Sequence, residues 1–197
     1  MKTFSVIMLI FLAAYIATAQ SPYEKSMKVA MEQLFSQNRT KDDLISVANK
    51  FDRISQAEKD KWQPVYYASL AYSWLATEEE TLEQKDARID QSRKLIEEGL
   101  VRSPGNVEFV TMQGYTDMLS LSFDAGSRGQ SMSTRVFSSF GKAMKMDSTN
   151  PRAQLFMAQM QYGTAQFFGQ DTAPICALFQ SALSSFNNTK ETGDFSP

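Results

Sequence analysis

Residues 62–76 read Trp62-Gln63-Pro64-Val65-Tyr66-Tyr67-Ala68-Ser69-Leu70-Ala71-Tyr72-Ser73-Trp74-Leu75-Ala76. Wound at 3.6 residues per turn, this stretch is apolar on most sides, which is the pattern of a helix packed on both faces. Pro64 suits a first helical turn, and the polar run Glu78-Glu79-Glu80 breaks the pattern. Outward from it, spacings of three and four recur along the chain. Met27, Ala30, Met31 and Leu34 form one stripe in 22–37, behind Ser21-Pro22. Thr40 is an N-cap with acidic residues in the turn after it, and Leu44, Val47, Ala48, Phe51 and Ile54 make 41–55 amphipathic. Segments 87–102, 107–123, 132–146, 151–168 and 173–186 read the same way. Between them, 103–106, 124–131, 147–150 and 169–171 read as links, 124–131 as a flexible one. No stretch alternates with period two long enough to make a strand. The expectation is all-α, about eight helices with short links and antiparallel neighbours.

Three helix pairs repeat. Their first helices start at Pro64, Val107 and Pro151, at offsets of 43 and 44 residues. The first unit supplies Tyr67, Leu70, Ala71 and Trp74, then Ser92, Ile96, Gly99 and Pro104. The second supplies Val110, Gly114, Phe140 and Ala143, and the third Met157, Ala158, Ile175, Phe179 and Ala182. A small residue lets paired helices approach, and a bulky one fills the adjacent gap. This pattern resembles the tetratricopeptide repeat family over residues 64–187, which implies a right-handed α-solenoid of stacked helix pairs. The sequence departs from the family in its period, which exceeds the usual ~34 residues, with the extra length expected between the two helices of each pair. Gln113, Asp117, Gln154 and Gln161 also stand in large-residue slots. The helix pair at 20–61 reads as a repeat-like cap, followed by units at 62–106, 107–150 and 151–187, with 188–197 a polar, frayed tail. The leader, Tyr23-Glu24-Lys25, Asn49 to Ile54 and Trp62-Gln63-Pro64 together resemble the small exported repeat proteins of Bacteroidetes.

Composition narrows the function. The 197 residues are 43% hydrophobic and 21% charged, a globular balance. A net charge of −2 gives nucleic-acid binding no electrostatic support. There is no histidine, which removes His-dependent triads, His general bases and His-ligated metals. The one cysteine, Cys176, permits no intramolecular disulfide, and its apolar neighbours Ile175, Ala177, Leu178 and Phe179 place it in the core. Residues 1–19 have a basic start, an apolar run from Phe4 to Ile16 and an Ala17-Thr18-Ala19 end, which is the form of a secretory signal peptide. The mature chain is expected to be periplasmic or secreted, without a membrane span.

Nothing in the sequence marks an enzyme, a metal site or a cofactor. Asp117 and Asp124 are a conceivable acid/base pair, but solvated or capping roles suit them better. Gly126 to Ser131 lacks the Gly-Lys-Ser/Thr of a phosphate loop. Glu78-Glu79-Glu80 is a solvated charge run at best able to hold a cation weakly. The methionines and aromatics suit core filling better than an adaptable groove. The family resemblance implies a concave groove lined by the first helices: Val65, Ala68 and Tyr72; Glu108, Thr111, Tyr115 and Met118; Arg152, Leu155, Gln159 and Tyr162. Its tyrosines suit recognition of a peptide or protein. The resulting expectation is a non-enzymatic peptide- or protein-binding module of the cell envelope. The alternative is a small-molecule or glycan-binding accessory protein.

Overall fold

Six of the eight described α-helices start where a side chain accepts from their first amide groups. The computed structural model describes residues 21–190 and 194–197; the leader lies outside them. Ser21 and Glu24 form a reciprocal capping box on α1 (Pro22–Leu34), and Thr40 and Asp43 another on α2 (Lys41–Ala57). Helix α3 (Gln63–Glu78) starts with Pro64 in its first turn. Thr81 and Gln84 box the start of α4 (Leu82–Arg102), and the Asn106 side chain caps α5 (Val107–Phe123). Asp124 caps α6 (Ala125–Met146), and Asn150 caps α7 (Pro151–Phe167). A short 3-10 turn, Ala173–Ile175, leads into α8 (Cys176–Asn188). Gly105 and Gly169 take positive φ (77° and 64°) just beyond α4 and α7, where a side chain would strain the turn. Among the described residues there is no strand, and no helix is long and apolar enough to cross a membrane.

Consecutive helices pack on one another, α3 also touches α5, and α5 touches α7, as stacked antiparallel pairs require. The small-for-bulky rule holds in atomic detail. A Cβ on Gly99 would lie 2.1 Å from the Phe109 ring, and one on Gly114 would lie 2.5 Å from the Phe140 ring. Both glycines are therefore sockets for phenyl groups of the next helix. Helix α3 is buried nearly all round, with Val65, Tyr66, Tyr67, Ala68, Ala71 and Leu75 in one core with Phe51, Ile96 and Phe109. The polar atoms drawn into the stack are paired across it. Ser73 (α3), Ser92 (α4) and Thr116 (α5) close a buried hydroxyl triangle with sides of 2.9–3.2 Å.

Four expectations are corrected. Residues 125–131 are helix, not a flexible link. Arg128 donates to both carboxylate oxygens of Asp86 on α4, at 2.8 and 2.6 Å, and to the Ser120 carbonyl at 2.9 Å. These anchors override the poor helix propensity of Gly126 and Gly129. The extra repeat length lies in the helices themselves: α4 has 21 residues and α6 has 22, while Asp124 alone separates α5 from α6. Cys176 is exposed, because α8 packs on α7 and buries only Ala182 among its own residues. Asp194–Pro197 do not fray but lie against the helices, with Phe195 edge-on to Tyr23 of α1 at 5.8 Å.

Candidate functional site

The stack opens between its later helices. There a cleft of about 830 Å³ lies among the C-terminal half of α5, the N-terminal half of α6 and the C-terminal half of α7. Met118, Leu119 and Leu121 form one wall. Ala125, Gly126, Gly129 and Ser133 form the second, and Met160, Gly163, Thr164, Phe167 and Phe168 the third. Val136, Phe140, Phe156 and Met160 close the deep end, where α6 and α7 pack together. The absence of side chains keeps the rest open: a Cβ on Gly126, Gly129 or Gly163 would meet nothing within 4 Å. Phe167 and Phe168 stand at the rim, 65% and 67% exposed, with rings edge-to-face at 5.1 Å.

The chemistry of the lining is apolar by construction. Its hydroxyls are turned back on their own helices. Ser122 donates to the Leu119 carbonyl, Ser133 to Gly129 (2.6 Å) and Thr164 to Met160 (2.7 Å). Gln130 and Gln159 are the amides on the lining, and no charged side chain lines it. Its candidate ligands for a soft metal are the thioethers of Met118 and Met160. No group of three or more His, Cys, Asp or Glu side chains among the described residues could hold a metal ion.

Of the groove residues expected from the sequence, Met118 and Gln159 line this cleft and the rest do not. Val65, Ala68 and Thr111 are at most 1% exposed, so they pack the core and cannot line an open groove. Glu108 and Arg152 meet as an ion pair at 2.8 Å between α5 and α7, and Asn150 also donates to Glu108. Tyr72 donates to Asp52 of α2 at 3.0 Å. Burial, then the Asp52 charge, pushes its phenol up to about 12. Tyr115 accepts from the Trp74 indole at 3.2 Å and stacks on Phe156 at 4.6 Å, and burial raises its phenol too. Both phenols stay neutral at physiological pH and are already engaged. Leu155 is half-buried, and Tyr162 packs edge-on to Phe179 of α8.

The suspected acidic groups are also accounted for. Asp117 is 2% exposed and receives Arg93 (2.9 Å) and Arg135 (2.6 Å), while Asp124 caps α6, so they are no acid/base pair. Glu79 is held by Lys41 (2.6 Å) and Arg88 (2.8 Å), which keep its carboxyl below the ordinary glutamate range. Sequence reasoning missed the α6 wall, because Gly126 to Ser131 has the composition of a loop. The one local signal for the helix was the spacing of Asp124 and Ser127, a capping aspartate and the amide it receives.

No family model and no curated protein matches this chain. Solved structures do. The chain superposes on the HusA haemophore from Porphyromonas gingivalis with a TM-score of 0.73 over 87% of this chain and 85% of that one, at 17% identity. The fold is tetratricopeptide-like. A second structure, MamA MSR-1 C2, aligns over 89% of this chain and 83% of its own, at 12% identity and a TM-score of 0.45.

Proposed function

We propose that this chain is an exported, non-enzymatic binding module of the small Bacteroidetes repeat type, and that it carries a flat, largely apolar small molecule of the porphyrin class. The observation that carries this reading is the α5–α6–α7 cleft. Its volume lies within the ~300–1,000 Å³ of typical small-molecule sites. Its walls are methyls, thioethers, ring faces and bare glycine backbone. A porphyrin offers two broad apolar faces, and its acidic groups share one edge. With no cation on the lining, that edge faces solvent at the mouth while the ring faces meet the walls. The likeness of the fold to a haemophore favours this class over other apolar ligands. Haem here is cargo, held by contact with its faces; the chain has no histidine to offer its iron.

A peptide or protein bound on the Tyr72–Tyr115–Gln159 face draws less support, because the two tyrosines are engaged with Asp52 and Trp74. The test is titration with haem and with metal-free protoporphyrin, followed by absorbance and fluorescence. Both bind saturably. Gly129→Trp plants an indole in the open cleft and weakens both by at least about tenfold, ~1.4 kcal/mol. Gly141→Trp, at an open position outside the cleft, leaves both unchanged. Porphyrin binding that survives Gly129→Trp would remove the ligand from this cleft. No saturable binding of either compound would end the porphyrin reading.

A further inference from the structure

A second site runs along the N-terminal ends of α1, α3, α5 and α7, and the chain's own segment Asp194–Pro197 is seated on it. Gln63 of α3 donates through Nε2 to the Asp194 carbonyl at 3.0 Å. The Phe195 ring meets the Tyr23 ring of α1 at 90° and packs on the main core. Arg152 of α7, fixed by its two hydrogen bonds to Glu108 of α5 (2.8 and 2.9 Å), donates to the backbone oxygen of Pro197. Three helices, α1, α3 and α7, thus meet three of the four residues, two of them through backbone oxygens, while α5 fixes the Arg152 that does so. That is how a groove recognises a peptide by its main chain while one side chain anchors it.

Three further observations mark the row as a site larger than its present occupant. A cavity of about 470 Å³ beside Tyr23, Lys61 and Gln63 is lined in part by Asp194 and Phe195, and one of about 380 Å³ adjoins Asn150 and Arg152. Tyr23 Oη, Gln63 Oε1 and Thr111 Oγ1, on α1, α3 and α5, are buried with no hydrogen-bond partner among the described residues. Gln63 is 6% exposed, so its oxygen lies buried at the edge of the row, where a bound group could satisfy it. Finally, Phe195 sits at φ 63°, the single non-glycine residue in the left-handed region among the described residues. An L side chain is strained there, so the segment in place is a weaker occupant than an unstrained peptide.

We propose that this row is a peptide-binding site for an extended segment of a partner protein that presents one aromatic side chain at the Phe195 position, and that Asp194–Pro197 fills it in cis. The site is separate from the porphyrin cleft and does not depend on it. Only residues 189–193 separate α8 from the docked segment. A tether that short gives an effective concentration on the order of 1 mM, enough to compete with a free peptide.

The probe is C-amidated, fluorescein-labelled Gly-Asp-Phe-Ser-Pro, followed by anisotropy with the full chain. Phe195 belongs to no helix, so Phe195→Ala empties the row and leaves the helices in place. The probe binds the Phe195→Ala chain at least about tenfold more tightly than the unsubstituted chain, the gap set by a ~1 mM cis competitor with an intrinsic Kd of ~0.1 mM. Adding Tyr23→Ala abolishes that gain, and so does replacing the probe's phenylalanine with alanine. Four results overturn the proposal. One is no binding to a Phe195→Ala chain whose circular dichroism is unchanged. Another is equal binding to both chains, and a third is binding indifferent to the probe's aromatic residue. A concentration-dependent dimer that Phe195→Ala turns into a monomer also overturns it, because the occupant is then the same segment of a second copy.

Discussion

The α4–α5 junction and the α6–α7 junction are built from the same repeat, yet one is solid and the other is open. At the first, Gly99 faces Phe109, and the ring occupies the space a Cβ would need. Trp62 and Tyr66 close around that ring with centroid distances of 5.8 and 6.0 Å. At the second, Gly126, Gly129 and Gly163 face nothing within 4 Å. A glycine with a matching ring opposite makes a close-packed core. A glycine without one leaves a wall of bare backbone beside a cavity. The repeat therefore sets helix spacing everywhere, and the presence or absence of the complementary ring decides whether the gap becomes core or site.

The comparison breaks most visibly at Phe109. Removing this fully buried ring by Phe109→Ala is expected to cost about 3–5 kcal/mol in denaturant unfolding. Gly99→Ala alone costs about 1–3 kcal/mol by overpacking, reduced by the better helix propensity of alanine. Combined with Phe109→Ala, the added methyl enters space the ring has left, so the double variant is less unstable than the sum of the two. Strict additivity would mean that Gly99 is no socket.

How much of this was legible in the sequence follows the same division. Gly99 and Gly114 could be read because the first helices of the units recur at offsets of 43 and 44 residues, which puts both glycines in small-residue slots of the repeat. The cap at Thr40 could be read because it is local. The first turns of α6 could not, since Arg128 is held by Asp86, 42 residues away. The cleft had no signature, because the void is defined by side chains missing from two helices at once, α6 and α7. Val65, Ala68 and Thr111 fall outside any open groove for a related reason. Repeat position puts Val65, Ala68 and Thr111 on the inner face, but the neighbouring helices bury that face.

A second, smaller effect separates the two regions by pH. At the N-terminal end Glu79, held by Lys41 and Arg88, has its carboxyl below the ordinary value, and beside the cleft Asp86, held by Arg128, does too. The unfolded chain then takes up protons first. The stability these groups contribute is full above the ordinary carboxylate range and is lost as pH falls through the lower folded values. Asp52 opposes this, since burial raises its carboxyl, and it gains relative stability on protonation. Urea midpoints measured downward from pH 6 should fall. Asp86→Asn should flatten that slope and speed amide exchange at residues 125–131, whereas Glu79→Gln should flatten the slope without touching α6. Identical exchange in the two variants would show that the Asp86–Arg128 pair does not hold the cleft wall.

The smallest effect has the opposite sign, and the comparison depends on it most. Gly129 and Gly163 lie inside helices with ordinary negative φ, and open space awaits a Cβ at each. Alanine there restricts the unfolded chain and meets no neighbour. Gly129→Ala and Gly163→Ala should therefore each stabilise the fold by about 0.5–1 kcal/mol. The same substitution at Gly99 or Gly114 destabilises. A sequence under pressure for stability alone would carry alanine at the two open positions, so glycine there buys access to the cleft at a cost in helix stability. The consequence is measurable in one pair of variants. Gly163→Ala should raise the urea midpoint while narrowing the cleft by a methyl group, and porphyrin affinity should fall by about two- to fivefold, ~0.4–1 kcal/mol. If the midpoint falls instead, the space beside Gly163 is already filled, and the open junction is no different from the closed one.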